Sequence, residues 1–171
     1  MKQNYPIFFY KSIEFFTKLY IIVIPKYYEE TRGKNMENKN LIEIAKNAMK
    51  NAYVPYSNFR VGAALLTEDG KVFTGCNVEN ATYGATNCAE RTAIFKAVSE
   101  GYRNFKKIAI ISDSPNFTYP CGICRQVIME YGKNIEVICA NRDGEFKVHN
   151  ICELLPYAFT NEDIERSRIN E

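Results

Sequence analysis

The chain has a single histidine, His149, among its 171 residues. It falls on what reads as a late edge strand, where a surface or core side chain is the ordinary role, so it is not assigned as a metal ligand. Long apolar runs are missing as well. The longest uncharged apolar stretch, Leu19–Ile24, is six residues, against the roughly 20 that a membrane span needs. Lys11, Glu14 and Lys18 break up the segment before it. The clean apolar block and small-residue cleavage site of a secretory signal are also absent. Neither a membrane anchor nor a signal peptide is expected. Most of the chain lacks a cationic surplus too. Residues 1–35 hold six Lys/Arg and three Asp/Glu; residues 36–171 hold 16 and 17, a net of −1. That balance argues against a nucleic-acid partner, although a local basic groove would escape it. Internal repeats and low-complexity segments are not found.

What is present fits one globular domain. A composition of 46% hydrophobic and 25% charged residues is that of a folded chain with one core. Such a core does not need disulfide staples. The six cysteines, two of them in a Cys-x-x-Cys pair, therefore point to metal or redox chemistry in a reducing compartment, the cytoplasm. Residues 1–35 are set apart by composition. Ile7, Phe8, Lys11, Phe15 and Leu19 recur at helical spacing, which allows an amphipathic surface helix. The preferred expectation is an upstream extension without enzymatic role, with the native chain starting at Met36 and residues 36–171 forming the catalytic domain.

Along that domain, Leu41, Ile44, Ala45, Ala48, Met49 and Ala52 predict a helix that ends near Pro55. "RVGAALLT" and "KVFTGCNVE" read as strands joined by an Asp69-Gly70 hairpin. "CAERTAIFKAVSEG" is a helix capped by Asn87 and stopped at Gly101. "KKIAIIS" is a strand. "CGICRQVIMEYG" is a helix that Pro120 introduces and Gly132 stops. "IEVICA" and "EFKVHN" are strands joined too closely for a parallel crossover, and "ICELLPYAF" is a short helix and tail. The order predicts a three-layer α/β/α sandwich around a mixed five-stranded sheet.

The cysteines carry the chemistry. Cys88 and Cys121 each stand at or near a helix start, and parallel βαβ units bring such starts to one sheet edge. Cys124 returns to the face of Cys121 one turn later. Helix N-termini favour thiolates, so the three make a plausible zinc site with one tetrahedral position left for water. Zinc makes such a water acidic near neutral pH, and Glu90, in the first turn after Cys88, can shuttle its protons without ligating the metal. Blander readings stay open on this evidence. The Cys-x-x-Cys pair can be a redox couple, and Glu90 can belong to a capping box. Cys76, Cys139 or Cys152 can close the site as a fourth ligand and make a non-catalytic zinc module. Cys139, in an apolar strand, reads as core; Cys76 is harder to dismiss.

Cys88-Ala89-Glu90 with Pro120-Cys121-x-x-Cys124 is a cysteine variant of the zinc-deaminase signature, whose glutamate is a non-ligand acid/base. With "PYSNFRVGAALLT", "GCNVENATYGATNCAERTAIFKAVSEGY", "PCGICRQV" and "ELLP", the chain resembles the free-nucleoside cytidine deaminases of the small, three-cysteine, homotetrameric type. The resemblance spans about residues 37–163. It implies a cytidine deaminase-like fold and zinc-dependent deamination of cytidine and 2′-deoxycytidine in pyrimidine salvage, with one Zn²⁺ per subunit. Cys88, Cys121 and Cys124 match its zinc ligands and Glu90 its proton shuttle. Asn77 and Glu79 match ribose ligands, Phe59 an aromatic packed on the pyrimidine, and Ala89 a backbone contact to the base. Arg91 and Arg125 match arginines near the thiolates. Ala81, Tyr83 and Phe159 match positions lent by neighbouring subunits of a homotetramer with shared sites. The implied partners are a small nucleoside and further copies of the chain, with neither nucleic acid nor membrane. Two other deaminase readings remain beside it, one for an antibiotic nucleoside of the blasticidin S type and one for cytosine in nucleic acid.

Overall fold

The computed structural model describes residues 36–169. The amphipathic-helix and extension readings of residues 1–35 lie outside the described residues. From Met36 onward the chain runs α1 (Asn38–Met49), β1 (Val61–Thr67), β2 (Val72–Cys76), a 3₁₀ turn (Tyr83–Ala85) and α2 (Ala89–Ser99). It continues through β3 (Phe105–Ser112), α3 (Gly122–Glu130), β4 (Glu136–Ala140), β5 (Phe146–Asn150), α4 (Ile151–Leu154) and α5 (Asn161–Ile169).

The strands form one five-stranded sheet in the order β2-β1-β3-β4-β5. β1 pairs antiparallel with both β2 and β3, β3 parallel with β4, and β4 antiparallel with β5. The expected mixed sheet and antiparallel final pair are therefore present. Because β2 and β3 are each antiparallel to β1, they run parallel to each other. α2 follows β2 and α3 follows β3, so both helices begin beyond the same edge of the sheet.

Strand periodicity divides the core between two faces. Ala64, Leu66, Ala109, Ile111, Ile138 and Ala140 face one way and pack with Leu41, Ile42 and Ala45 of α1. Ala63, Leu65, Ile108, Ile110, Val137 and Cys139 face the other way and pack with Ala89, Ala93, Ile94 and Ala97 of α2, Ile128 and Met129 of α3 and Ile151 of α4. Helices thus cover both faces, and each fully buried Leu or Ile contributes about 1.5–3 kcal/mol. Two glycines set how closely the layers approach. A Cβ on Gly62 would lie 2.1 Å from the Ala45 carbonyl oxygen of α1. One on Gly75 would lie 2.3 Å from the Ala89 carbonyl oxygen and 2.5 Å from the Ala93 nitrogen. Gly75 therefore lets the first turn of α2 rest directly on β2.

Some local expectations need correction. α1 ends at Met49, with Lys50 as C-cap, well before Pro55. Its last carbonyls are taken by tight turns from Lys50, Asn51 and Ala52, and Tyr53 then bridges to Val78. Strand β2 stops at Cys76; Val78 instead exchanges hydrogen bonds with Asn87. The cap of α2 is Cys88, not Asn87: the Cys88 carbonyl accepts the Thr92 N–H, while the Asn87 amide donates to the Thr92 hydroxyl. The tail after Phe159 also contains α5, whose polar sequence carries little apolar periodicity.

Candidate metal centre and active site

Two helix starts build the centre. Cys88 and Cys121 are the N-cap residues of α2 and α3, both extended, with carbonyls that accept the Thr92 and Arg125 N–H groups. Their sulfurs are 3.8 Å apart. Cys124, one turn into α3 and buried, brings a third sulfur, and all three lie within 4.8 Å of one another. Metal–sulfur bonds of about 2.3 Å at tetrahedral angles separate two sulfurs by about 3.8 Å, so the donor set fits a zinc ion. Among the described residues no fourth His, Cys, Asp or Glu joins the cluster. Cys76 is outside it, at the end of β2. Cys139 is in the core as expected, its thiol pushed up to about 12, mainly by burial. Cys152, exposed, has its thiol against the Lys133 carbonyl.

The Cys88 thiol is already polarised. The hydrogen bond from Cys124, followed by those from Arg91 and Cys121, lowers Cys88 to about 5 against its partial burial. Cys124 moves up in consequence, through its hydrogen bond to Cys88 and its own burial. One guanidinium nitrogen of Arg91, Nη2, donates to the Thr86 carbonyl at 2.9 Å and lies 3.8 Å from Cys88 Sγ. Its Nε is buried without a hydrogen-bond partner among the described residues. Arg125 is placed differently. Its Nε donates to the Pro120 carbonyl and its Nη1 to the Leu154 carbonyl, both at 2.8 Å. It braces the segment that leads into Cys121 against the end of α4.

Glu90 follows Cys88 by two residues and is only 4% exposed. It is not the helix cap, and its carboxyl makes no ion pair with a described residue. Burial raises it to about 7, and the negative Cys88 adds to the rise; its own backbone N–H, Cys124 and Arg91 oppose it. A cation on the thiols would draw it down again. A buried carboxyl beside the three thiols is positioned to pass protons to and from a reacting molecule.

An open cleft of about 410 Å³ lies beside this centre, lined by Tyr56, Ser57, Glu79, Tyr83 and Thr86. The Thr86 carbonyl, held by Arg91, joins it to Cys88. Glu79 accepts the Tyr56 N–H at 2.9 Å, the Ser57 N–H at 3.2 Å and the Ser57 hydroxyl. The Ser57 hydroxyl is the first cause that holds the Glu79 carboxyl below the ordinary carboxylate value. Asn77 accepts the Val61 N–H at 2.9 Å and donates to the Phe59 carbonyl at 2.8 Å. One donor and one acceptor of its amide are left unfilled by the described residues. Phe59 is exposed. Ala89, the first residue of α2, is fully buried.

Of the remaining residues expected at the site, only Tyr83 lines the cleft. Ala81 and Tyr83 are exposed, and Phe159 is 65% exposed. The Phe159 carbonyl accepts from Gln126. His149 sits on β5, with Nδ1 3.4 Å from a Glu153 oxygen. Three contributors were not singled out from the sequence: Ser57, the Thr86 carbonyl and Gly75. Only Ser57 carries a local signal, a serine in a turn whose hydroxyl accepts the Phe59 N–H two residues on.

Residues 35–140 match the family model for the cytidine and deoxycytidylate deaminase zinc-binding region. The chain belongs to this zinc-binding deaminase family. Relatives of the family include a cytidine deaminase of Sporosarcina psychrophila, 50% identical over 130 residues, which cover 75% of this chain and 96% of that one. Another, from Halalkalibacterium halodurans, is 51% identical over 130 residues, covering 75% of this chain and 98% of the relative. Among solved structures of the family, cytidine deaminase from Burkholderia pseudomallei superposes with a TM-score of 0.71 at 54% identity, covering 72% of this chain and all of that one. A cytidine deaminase from Mycobacterium tuberculosis gives 0.65 at 38% identity, covering 73% and 98%. The family is zinc-binding, and Cys88, Cys121 and Cys124 are the residues here able to hold the ion.

Proposed function

We propose that the protein hydrolyses cytidine and 2′-deoxycytidine to uridine and 2′-deoxyuridine, releasing ammonia. One observation carries this reading: Glu90 is buried against the thiols of Cys88 and Cys124, two members of a metal-competent cluster. The relatives named cytidine deaminase support it and do not favour the antibiotic-nucleoside or nucleic-acid readings. Zinc held by the three thiols supplies a Lewis acid that makes water nucleophilic near neutral pH. The chain's own part is proton transfer and positioning. Glu90 accepts the proton of the attacking water and delivers it to N3 of the pyrimidine as the C4–O bond forms. It then carries the hydroxyl proton to the 4-amino group, the C4–N bond breaks, and ammonia leaves. One water enters for each ammonia released.

Asn77 and Glu79 hold the ribose through the acceptors and donor they have left. Phe59 packs on the pyrimidine, and the Ala89 backbone contacts it. Arg91 draws charge from Cys88, which offsets the weak Lewis acidity of a three-thiolate centre; Arg125 positions Cys121 through Pro120. Ala81, Tyr83 and Phe159 serve neighbouring sites in a homotetramer, a role that the exposure of the two aromatic rings supports. Residues 1–35 contribute no catalytic group. Among the described residues no helix is long and apolar enough to cross a membrane, and the reaction belongs to pyrimidine salvage in the cytoplasm. The test is ammonia release from a nucleoside panel by the purified chain, with zinc quantified and mass measured by light scattering. Turnover of cytidine and 2′-deoxycytidine by a zinc-containing tetramer is expected. Zinc-loaded protein without turnover of either nucleoside would overturn the activity, and a monomer would overturn the assembly.

A further inference from the structure

Ser57 stands at a junction that its position in an exposed turn does not advertise. Its hydroxyl accepts the Phe59 N–H at 3.0 Å and donates to Glu79 Oε1, while its own N–H donates to Glu79 Oε2 at 3.2 Å. Asn58, between Ser57 and Phe59, has a φ of 56°, a left-handed conformation that asparagine tolerates. The Phe59-to-Ser57 hydrogen bond closes that turn. From the other side, the Asn77 amide holds the Phe59 carbonyl and the Val61 N–H.

A count of lone pairs sharpens the picture. A carboxylate offers about four acceptor sites. At Glu79 three are filled: two on Oε2, by Tyr56 and Ser57 N–H, and one on Oε1, by the Ser57 hydroxyl. Among the described residues nothing fills the fourth site, on the oxygen that Ser57 orients, and Glu79 lines the cleft beside the thiol centre. The serine hydroxyl has one proton. Committing it to Glu79 while accepting from Phe59 fixes both partners at once.

We propose that Ser57 is a positioning residue that couples the two ends of the nucleoside site: it holds Glu79 to receive one sugar hydroxyl and fixes Phe59 at the base end. This rests on the nucleoside reading above and deepens it. Without the Ser57 hydroxyl, Glu79 regains a second open site on Oε1 and its rotational freedom, and the Asn58 turn loses its closing bond. Recognition of the sugar then becomes both weaker and less selective, because a buried or oriented acceptor penalises a ligand without its matching donor more than a solvated one does.

The experiment compares cytidine, 2′-deoxycytidine and 3′-deoxycytidine in wild type, Ser57→Ala and Ser57→Thr, each at matched zinc content and melting temperature. In Ser57→Ala, KM for cytidine is expected to rise about tenfold with a smaller change in kcat, as for loss of a hydrogen bond to a charged group. The wild-type preference in kcat/KM for cytidine over the poorer deoxy analogue should shrink by about the same factor. Ser57→Thr, which keeps the hydroxyl, should restore that preference. An active wild type whose preference survives in Ser57→Ala, or a uniform loss on all three substrates, would overturn the assignment of Ser57 alone. A zinc-loaded wild type that deaminates none of them would overturn the nucleoside reading, and this inference with it.

Discussion

The sulfur of Cys88 lies 3.8 Å from that of Cys121, although 33 residues separate them in the chain. Two different helices begin at these residues, and the sheet brings the two starts together. Replacing Cys121 with alanine removes a donor from a site that has three. The variant should lose stoichiometric zinc by elemental analysis and melt at a lower temperature, because metal affinity at such sites is coupled to folding. Full zinc retention would refute the ligand assignment.

Glu90 calls for the opposite pattern. Glu90→Gln keeps the size of the side chain and all three thiols, so zinc content should stay near wild type. Deamination, followed by the ultraviolet change of the pyrimidine, should fall by about 10²–10⁴-fold, the usual contribution of a general acid–base. Activity close to wild type would remove the proton-shuttle role.

Gly75 is a structural test of the same site. In Gly75→Ala the new Cβ would meet the backbone of Ala89 and Ala93, so α2 must shift off β2. Overpacking of this kind costs about 1–3 kcal/mol, and here it also displaces Cys88 and Glu90. A lower melting temperature together with weaker zinc retention against a chelator is expected. An unchanged protein would mean that α2 does not rest on β2 as closely as described.

Glu79 sets a pH dependence. Its folded-state pKa lies below the ordinary 4.5, held there first by the Ser57 hydroxyl against the opposing effect of desolvation, with the Tyr56 and Ser57 N–H groups adding to the lowering. For a lowered carboxyl the favourable interaction is complete above the ordinary value and lost as pH falls through the folded one. KM for cytidine should therefore stay level from neutral pH to about pH 5 and climb only in more acid solution, with zinc content checked at each point. A climb centred above the ordinary carboxylate value would contradict the hydrogen bonding of Glu79.

Deleting residues 1–35 should leave kcat/KM and zinc content unchanged, since every residue assigned to the site lies at Tyr56 or beyond. A large loss of activity would give that segment a role.

Much of the architecture was legible in the chain. The apolar runs in "VGAALLT", at Ile108–Ile111 and at Val137–Ala140 dictate buried strands. The stops at Gly101 and Gly132 and the short link between β4 and β5 dictate where elements end and how the last pair runs. Cys88, Glu90, Cys121 and Cys124 were legible too, since residue type and helical spacing are local properties. The ends of α1 and β2 were not. Their limits come from Tyr53 and Asn87 bridging to Val78, contacts between segments distant in sequence. The cap of α2 was misplaced because the Asn87 backbone bridges to Val78 and its side chain binds Thr92, leaving Cys88 to begin the helix.

The sequence by itself thus determined the element order, the two-faced core and the chemical identity of the site: three thiols and one carboxyl, carried on two helix starts. Only the tertiary structure decided what those groups can do. The approach of the sulfurs, the burial that lifts Glu90, the turn of Arg91 toward Cys88 but of Arg125 toward Pro120 and Leu154, and the clasp of Ser57 on Glu79 all depend on distances across the fold. Hydrogen bonding and desolvation act over a few ångströms of space, and spacing along a chain specifies such distances only within one element.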